Sequence, residues 1–178
     1  MAGQSEEGSI VRRVHPVELN AERFAPFGAV HPSPIEPGRD YFDGALSTAR
    51  PHAKPSLSLV RNAPMLGESL VVRSLERHAH SSQTFVPMNA ARWLVVVAPD
   101  DSGQPDAAHI RAFVASASQA VTYAPGTWHL GLHVLDRAST HAIFMWRDGT
   151  GSDESFANIP PLAIALPYAL KDSHHASP

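Results

Sequence analysis

Hydrophobic and polar positions alternate in short runs along most of this chain. SLSLVRN (residues 56 to 62) alternates residue by residue and predicts a strand, and SLVVRSLERH (69 to 78) predicts another. QTFVPM (83 to 88) and ARWLVVVAPD (91 to 100) predict two more, with DDSGQPD as the turn that follows. AHIRAFVA (108 to 115) fits a short helix or a strand. QAVTYAPG and WHLGLHVLD predict strands on either side of a Pro-Gly turn, and THAIFMWRDG predicts one more. NIPPLAIALPYAL is expected to pack on the core. One short helix is predicted inside VHPVELNAERFAPFGAV, where Asn20 can cap it and Pro26 stops it. HPSPIEPGRDYFDG reads as a Pro/Gly-rich loop. Many short strands with turn signals every dozen residues or so predict an all-β antiparallel sandwich or barrel. The expected organisation is a flexible N-terminal segment over 1–14, one barrel domain over 15–166 and a C-terminal tail over 167–178.

Composition narrows the function classes. The 178 residues suit one domain with a real core, and 43% hydrophobic content is ordinary for a globular chain. A net charge of −3 lacks the basic excess that nucleic-acid binding draws on. The chain has no cysteine, which excludes disulfides and thiolate metal sites. The opening MAGQSEEGSI has no apolar stretch of the signal-peptide kind, and the run from Trp93 to Pro99 is far too short to span a bilayer. A cytoplasmic protein without membrane or nucleic-acid partners is expected. The 16 prolines favour short strands over helices. The 11 histidines carry the candidate chemistry.

Side chains two apart on a strand share a face. Glu76, His78 and His80 are therefore expected on one face, and His129, Gly131 and His133 on one face of a later strand. If both faces point into one barrel, several imidazoles converge. Neutral imidazoles with an oxygen ligand suit Zn, Ni, Mn or Fe. The His-x-His of 78 to 80, a polar Gln83 soon after, and a later Gly-x-x-His at 126 to 129 resemble the two metal motifs of the cupin jelly-roll barrel. The bland alternatives are a Gln83 hydrogen-bonded to a neighbouring strand and a His133 satisfied within the barrel. His15, His31, His52, His109 and His141 read as surface or core histidines, Trp128 as packing, and GTGSDE as a turn without the lysine of a phosphate loop.

The wording around these positions resembles the ureidoglycolate lyase family (also called ureidoglycolate hydrolase) of the cupin superfamily. Glu76, Arg77 and His78, then Gln83, Thr84, Phe85, Val86, Pro87 and Met88, match its signature. So do Pro105 and Asp106; Arg111, Ala112 and Phe113; Val121, Tyr123, Gly126, Trp128 and His129; and the early FAPFGAV. The chain departs from the pattern at Ala79, His80, Leu130 and Gly131, beside the expected site, and at Phe42 and Asp43.

The resemblance implies a cupin-like antiparallel jelly-roll barrel and cleavage of ureidoglycolate to glyoxylate and urea by a homodimeric enzyme. That reaction needs a base for the hydroxyl proton, an acid for the departing urea nitrogen and a cation for the carboxylate. Histidine suits proton transfer near neutrality, and arginine suits a carboxylate. The expected catalytic residues are His78, His129 and Glu76. Expected metal ligands are His78, His80, His129 and Gln83, on a divalent transition metal, with no organic cofactor. Arg61 and Arg147, at positions of family arginines, are candidate substrate-binding residues with Gln83 and Tyr123. Two other readings stay open: a different metal-dependent cupin enzyme, such as an isomerase or dioxygenase on a small carboxylate, and a non-catalytic small-acid-binding barrel.

Overall fold

The structure, a computed structural model, describes residues 12–89 and 91–167. Its strands, in chain order, are β1 (Arg12–Val14), β2 (Val17–Glu18), β3 (Gly28–Pro32), β4 (Lys54–Asn62), β5 (Ser69–His78), β6 (Gln83–Pro87) and β7 (Trp93–Ala98). There follow β8 (Asp100–Asp101), β9 (Gln104–Pro105), β10 (Arg111–Ala115), β11 (Gln119–Tyr123), β12 (Trp128–His129), β13 (His133–Val134), β14 (Ser139–Arg147) and β15 (Glu154–Ala165). The larger sheet runs β1-β15-β5-β12-β7-β10-β2, with β13 also on β7, and the smaller runs β3-β11-β6-β14-β4. The two sheets share an apolar interior, in the antiparallel jelly-roll manner. No helix among the described residues is long and apolar enough to cross a membrane.

The core follows from strand alternation. All six residues of β7 are buried. Trp93, Val95 and Val97 join Phe85, Val121 and Tyr123 of the smaller sheet and Phe24, Phe27 and Phe113 in one cluster. Leu94, Val96 and Ala98 point the other way and pack with Val72, Leu75, Ile164 and Leu166. At roughly 25 cal/mol per Å² of apolar area removed from water, this two-faced strand anchors the fold. The predicted short helix is α1 (Ala21–Phe24), and Asn20 caps it by accepting from the backbone N–H groups of Glu22 and Arg23. Gly28 is obligatory: its φ is +148°, and a Cβ there would lie 1.9 Å from the Thr122 carbonyl oxygen.

Several expectations change in detail. The N-terminal segment, expected to be loose through residue 14, is already strand at Arg12–Val14, paired parallel to Leu162–Ile164; residues 1–11 and, of the expected tail, 168–178 lie outside the described residues. FGAV leads into β3, which pairs with β11 from Pro32 to Gly28. AHIRAFVA resolves into a 3-10 turn, Ala107–His109, and strand β10. The turn DDSGQPD is a small hairpin of β8 and β9. WHLGLHVLD is broken into β12 and β13, so His129 and His133 are not on one continuous strand. In SLSLVRN the alternation holds, but its sense is inverted: Leu57 and Leu59 are 69% and 63% exposed, while Ser56 and Ser58 line a cavity inside the barrel.

One buried histidine belongs to the core alone. His141 is fully buried edge-on to Trp93, with ring centroids 5.1 Å apart, and neither ring nitrogen has a hydrogen-bond partner among the described residues. Burial lowers its pKa to about 4 from the ordinary 6.5. The unfolded chain thus takes up a proton there before the folded chain does, so stability is full above pH 6.5 and falls as pH drops toward 4. Urea denaturation at pH 7.5 and pH 5 is expected to show His141→Leu losing up to about 2 kcal/mol less stability than wild type over that interval. Equal losses in the two proteins would remove this role from His141.

Candidate metal and substrate site

The site is assembled by one strand pairing and one turn. In the register of β12 against β5, His129 stands opposite Glu76. His78 is two residues further along β5, so Glu76, His78 and His129 face the barrel interior together. The turn before β12 is Ala124-Pro125-Gly126-Thr127, closed by a hydrogen bond from the Thr127 N–H to the Ala124 carbonyl of 3.1 Å. Gly126 has φ +82°, as the third position of a type II turn demands. Its N–H donates to the His78 carbonyl at 2.8 Å and ties the turn to the end of β5. On the outer side, the Arg77 guanidinium lies 4.4 Å from the Trp128 ring, and both donate to Asp100 Oδ1, at 2.7 and 2.8 Å. This clamp holds the backbones of β5 and β12 from behind.

One ligand atom from each of Glu76, His78 and His129 lies within 4.8 Å of the others. His129 is 1% exposed and stacks on Tyr123, with centroids 4.1 Å apart and planes at 15°. Its Nδ1 lies 2.9 Å from the Thr127 carbonyl oxygen, an acceptor, so Nδ1 carries the proton. The other nitrogen, Nε2, then turns a lone pair toward Gln83 Oε1 at 2.9 Å and Glu76 Oε1 at 3.4 Å. A neutral ring there sets three acceptors against one another; a second proton, a cation or a turned-over Gln83 amide resolves the conflict. His78 is buried, and both of its ring nitrogens lack a hydrogen-bond partner among the described residues. Two imidazoles, a carboxylate and an amide oxygen form a donor set that fits a divalent transition metal such as Zn, Ni, Mn or Fe.

The electrostatics agree with this arrangement. Burial alone would raise the Glu76 pKa, but hydrogen bonding and charge from His129, with smaller help from His78 and His133, hold it below the ordinary value. His78 is lowered, first by burial and then by His129, against the opposing pull of Glu76, Asp153 and Glu154. At neutral pH the carboxylate is therefore ionised and the His78 imidazole neutral, the states that ligation requires. Burial raises the Tyr123 phenol far above its ordinary range, so it stays protonated.

A cavity of about 310 Å³ opens onto this cluster. Its walls include His78, Gln83, Ser56, Ser58, Met145, Arg147 and Asp153. Glu76 and His129 are not among its lining residues; they sit behind His78 and Gln83. Arg147 stands at the exposed rim and has no hydrogen-bond or ion-pair partner among the described residues. The neighbouring Asp148 is instead paired with Arg50, which also donates to Ser152.

Three expected site residues lie elsewhere or act differently. His80 is outside the cluster because β5 ends at His78, and the alternation that would aim both rings inward ends with it. What His80 contributes is its backbone N–H, donated to Asp153 Oδ1 at 2.8 Å. Arg61 shares the outward parity of Leu57 and Leu59 on β4, is exposed, and donates to Thr140 Oγ1 at 3.1 Å. Tyr123 meets the site with its ring, stacked on His129, and does not line the cavity. His133 is held by its own turn, with Nδ1 2.7 Å from the Gly131 carbonyl oxygen.

Asp153 is the residue that sequence reasoning missed. It lies in the GTGSDE turn, is 8% exposed and lines the cavity. Its Oδ2 accepts from Ser81 Oγ at 2.7 Å and lies 3.9 Å from His78 Nδ1. Nothing in a Gly/Ser-rich turn announces this role. Only the pairing of Glu154 with His78 across β15 and β5 carries Asp153 to the end of the histidine strand.

Comparison with known proteins follows from this geometry. A family model described as ureidoglycolate lyase matches residues 11–164. A protein of Burkholderia cepacia named ureidoglycolate lyase is 36% identical over 148 residues, covering 76% of this chain and 80% of that one. A Burkholderia mallei protein of the same name is 37% identical over 151 residues, covering 80% and 86%. A Pseudomonas fluorescens protein, also so named, is 33% identical over 165 residues, covering 84% and 95%. A solved structure of Bacillus subtilis oxalate decarboxylase aligns over 82% of this chain and 30% of its own, at 13% identity and a TM-score of 0.39, a likeness too slight for anything to rest on.

The donor geometry has a direct readout. Elemental analysis of purified protein is expected to find a divalent transition metal that His78→Ala and His129→Ala each remove and that His80→Ala retains. Loss of the metal from the His80 variant alone would reverse the ligand assignment.

Proposed function

This chain belongs to the ureidoglycolate lyase family, and we propose on that footing that it cleaves ureidoglycolate to glyoxylate and urea, with the cavity beside His78 as its active site. One observation carries the reading: a cluster of Glu76, His78 and His129 meets, through His78, a cavity whose rim presents Arg147, an arginine without a hydrogen-bond or ion-pair partner among the described residues. A small carboxylate that must be held at one end and activated at the other matches those two poles.

The residues divide the work. Arg147 receives the substrate carboxylate, where its planar guanidinium offers two parallel donors. The hydroxyl-bearing carbon then lies toward His78 and Gln83. A divalent transition metal would be held by Glu76, His78 and His129, with Gln83 Oε1 as a further oxygen, and would act there as a Lewis acid on a substrate oxygen. Lysis moves one proton from the carbinol oxygen to the departing urea nitrogen as the C–N bond breaks and the carbonyl forms. Asp153 lines the same cavity, 3.9 Å from His78 Nδ1 by its Oδ2, and in this reading takes that proton and hands it on. Ser81 orients it. Tyr123, stacked on His129, and Met145, against Gln83, close the inner wall to water. Cytoplasmic residence and assembly as a homodimer belong to the same proposal, the first supported by an ordinary globular composition with a net charge of −3.

Incubation with ureidoglycolate is expected to release glyoxylate well above the spontaneous rate, with metal content measured on the same sample. Release at the spontaneous rate by metal-replete protein would overturn the reading. Among variants, Asp153→Asn is expected to lower kcat on the order of 100-fold with KM little changed. Arg147→Gln is expected to raise KM about 10-fold or more. Arg61→Gln, on the outer face, is expected to leave both constants within about 2-fold of wild type; a large loss there would relocate the carboxylate clamp.

A further inference from the structure

Strand register lays out one wall of the cavity in rows. On the smaller sheet Ser56 of β4 stands opposite Met145 of β14, and Met145 stands opposite Gln83 of β6. Residues directly opposite share a face of the sheet, so these three point into the barrel together. Gln83 and Met145 touch, with Gln83 Nε2 3.8 Å from Met145 Sδ. Two residues further along β4, Ser58 stands opposite Ile143 on the same face. In the opposite direction along β14, two residues beyond Met145, comes Arg147 at the rim. Met145 is thus flanked by Gln83 on one side, by the two serines on the other and by Arg147 along its own strand.

Carboxylate binding and lysis engage Arg147, His78, Gln83 and Asp153 and leave the serines without a part. Both line the cavity, and neither hydroxyl has a hydrogen-bond partner among the described residues. The register of β4 keeps them there while Leu57 and Leu59 stay 69% and 63% exposed. A slip of one residue would exchange the two faces, taking the hydroxyls off the cavity and turning the leucines inward.

We infer that Ser56 and Ser58 are specificity-determining residues: they receive the ureido end of the substrate and separate a urea from a simple amide. The inference rests on the lyase reading above and deepens it. With the carboxylate on Arg147 and the carbinol carbon beside His78 and Gln83, the ureido arm extends over Met145 toward β4. Two inter-strand spacings, roughly 10 Å, separate the backbones at Gln83 and Ser56. An arm of about 4 Å with a hydrogen-bonding step of about 3 Å at each end spans that width. A urea ends in a carbonyl acceptor and an amino group with two donors. A serine hydroxyl both donates and accepts, so a pair of them can satisfy both kinds of group. An acetyl analogue presents a methyl in place of the amino group and leaves the hydroxyls facing it unpaired, which is the arrangement by which a polar site rejects a ligand lacking the group it binds.

Calorimetric binding of two unreactive analogues to the full chain tests this. N-carbamoylglycine and N-acetylglycine share the carboxylate and the amide and differ in a terminal amino group against a methyl. Wild type is expected to bind the carbamoyl compound about 10-fold more tightly or better, and Ser56→Ala combined with Ser58→Ala to bring the two within about 2-fold. Arg147→Gln, which touches the carboxylate common to both, is expected to weaken the two alike and keep their ratio. Equal affinities in wild type, or a preference that survives in the serine variant, would overturn the inference. Should the double variant fail to fold, each single variant is expected to cut the preference about 3-fold, and an unchanged preference in both would overturn it equally. The ratio is read without turnover, and glyoxylate release by wild type is measured separately. A wild type that releases glyoxylate but shows no preference sinks this inference alone, while one that releases none sinks the lyase reading.

Discussion

The pairing of β12 against β5 is the constraint on which the rest of the site depends. It sets His129 opposite Glu76 and leaves His78 one step along the same face. Three polar groups are thereby carried into a barrel beside the aromatic and aliphatic cluster of Phe85, Trp93, Val97 and Tyr123. Burying them costs free energy unless each is paired, and the pairing is specific: His129 Nδ1 on the Thr127 carbonyl, Nε2 between Gln83 and Glu76. His78, with two buried nitrogens unpaired, is the residue at which that account remains open, and it is also the cluster member that lines the cavity. A buried imidazole without a hydrogen-bond partner among the described residues, on the wall of a substrate-sized space, is the feature on which the proposed ligand-binding centre rests.

Around this pairing the barrel divides its interior into a wet end and a dry end. Along β14, Met145 faces Gln83 at the wet end, while His141 packs on Trp93 at the dry end. The contrast between two buried histidines is instructive. His141 has no hydrogen-bond partner among the described residues, and burial alone lowers its pKa. His78 is also lowered by burial, but three carboxylates, Glu76, Asp153 and Glu154, pull the other way.

The strand alternation that builds the site builds the outside as well. Because β4 turns Ser56 and Ser58 toward the cavity, it must turn Leu57 and Leu59 to the surface. A polar lining for the cavity and an exposed leucine ridge are therefore two consequences of one choice of register, and β4 carries both.

Much of this was legible in the chain. Short alternating runs, proline density and turn signals specify an all-β fold, because period-two patterning and turn chemistry act locally. Glu76, His78 and His129 could be picked out because a strand aims alternate side chains together, and Gln83 through the resemblance to the family motif. The readings that changed all needed information from distant parts of the chain. Where β5 stops decides that His80 leaves the cluster. Which face of β4 meets the interior decides that Arg61 points outward, since alternation gives two faces without saying which is buried. A turn some 70 residues away brings Asp153 beside His78. The amino-acid sequence by itself determined the strands and the chemical types available to the site. Only the tertiary structure decided which of them meet, because strand ends, register and facing are settled by the packing of the whole barrel.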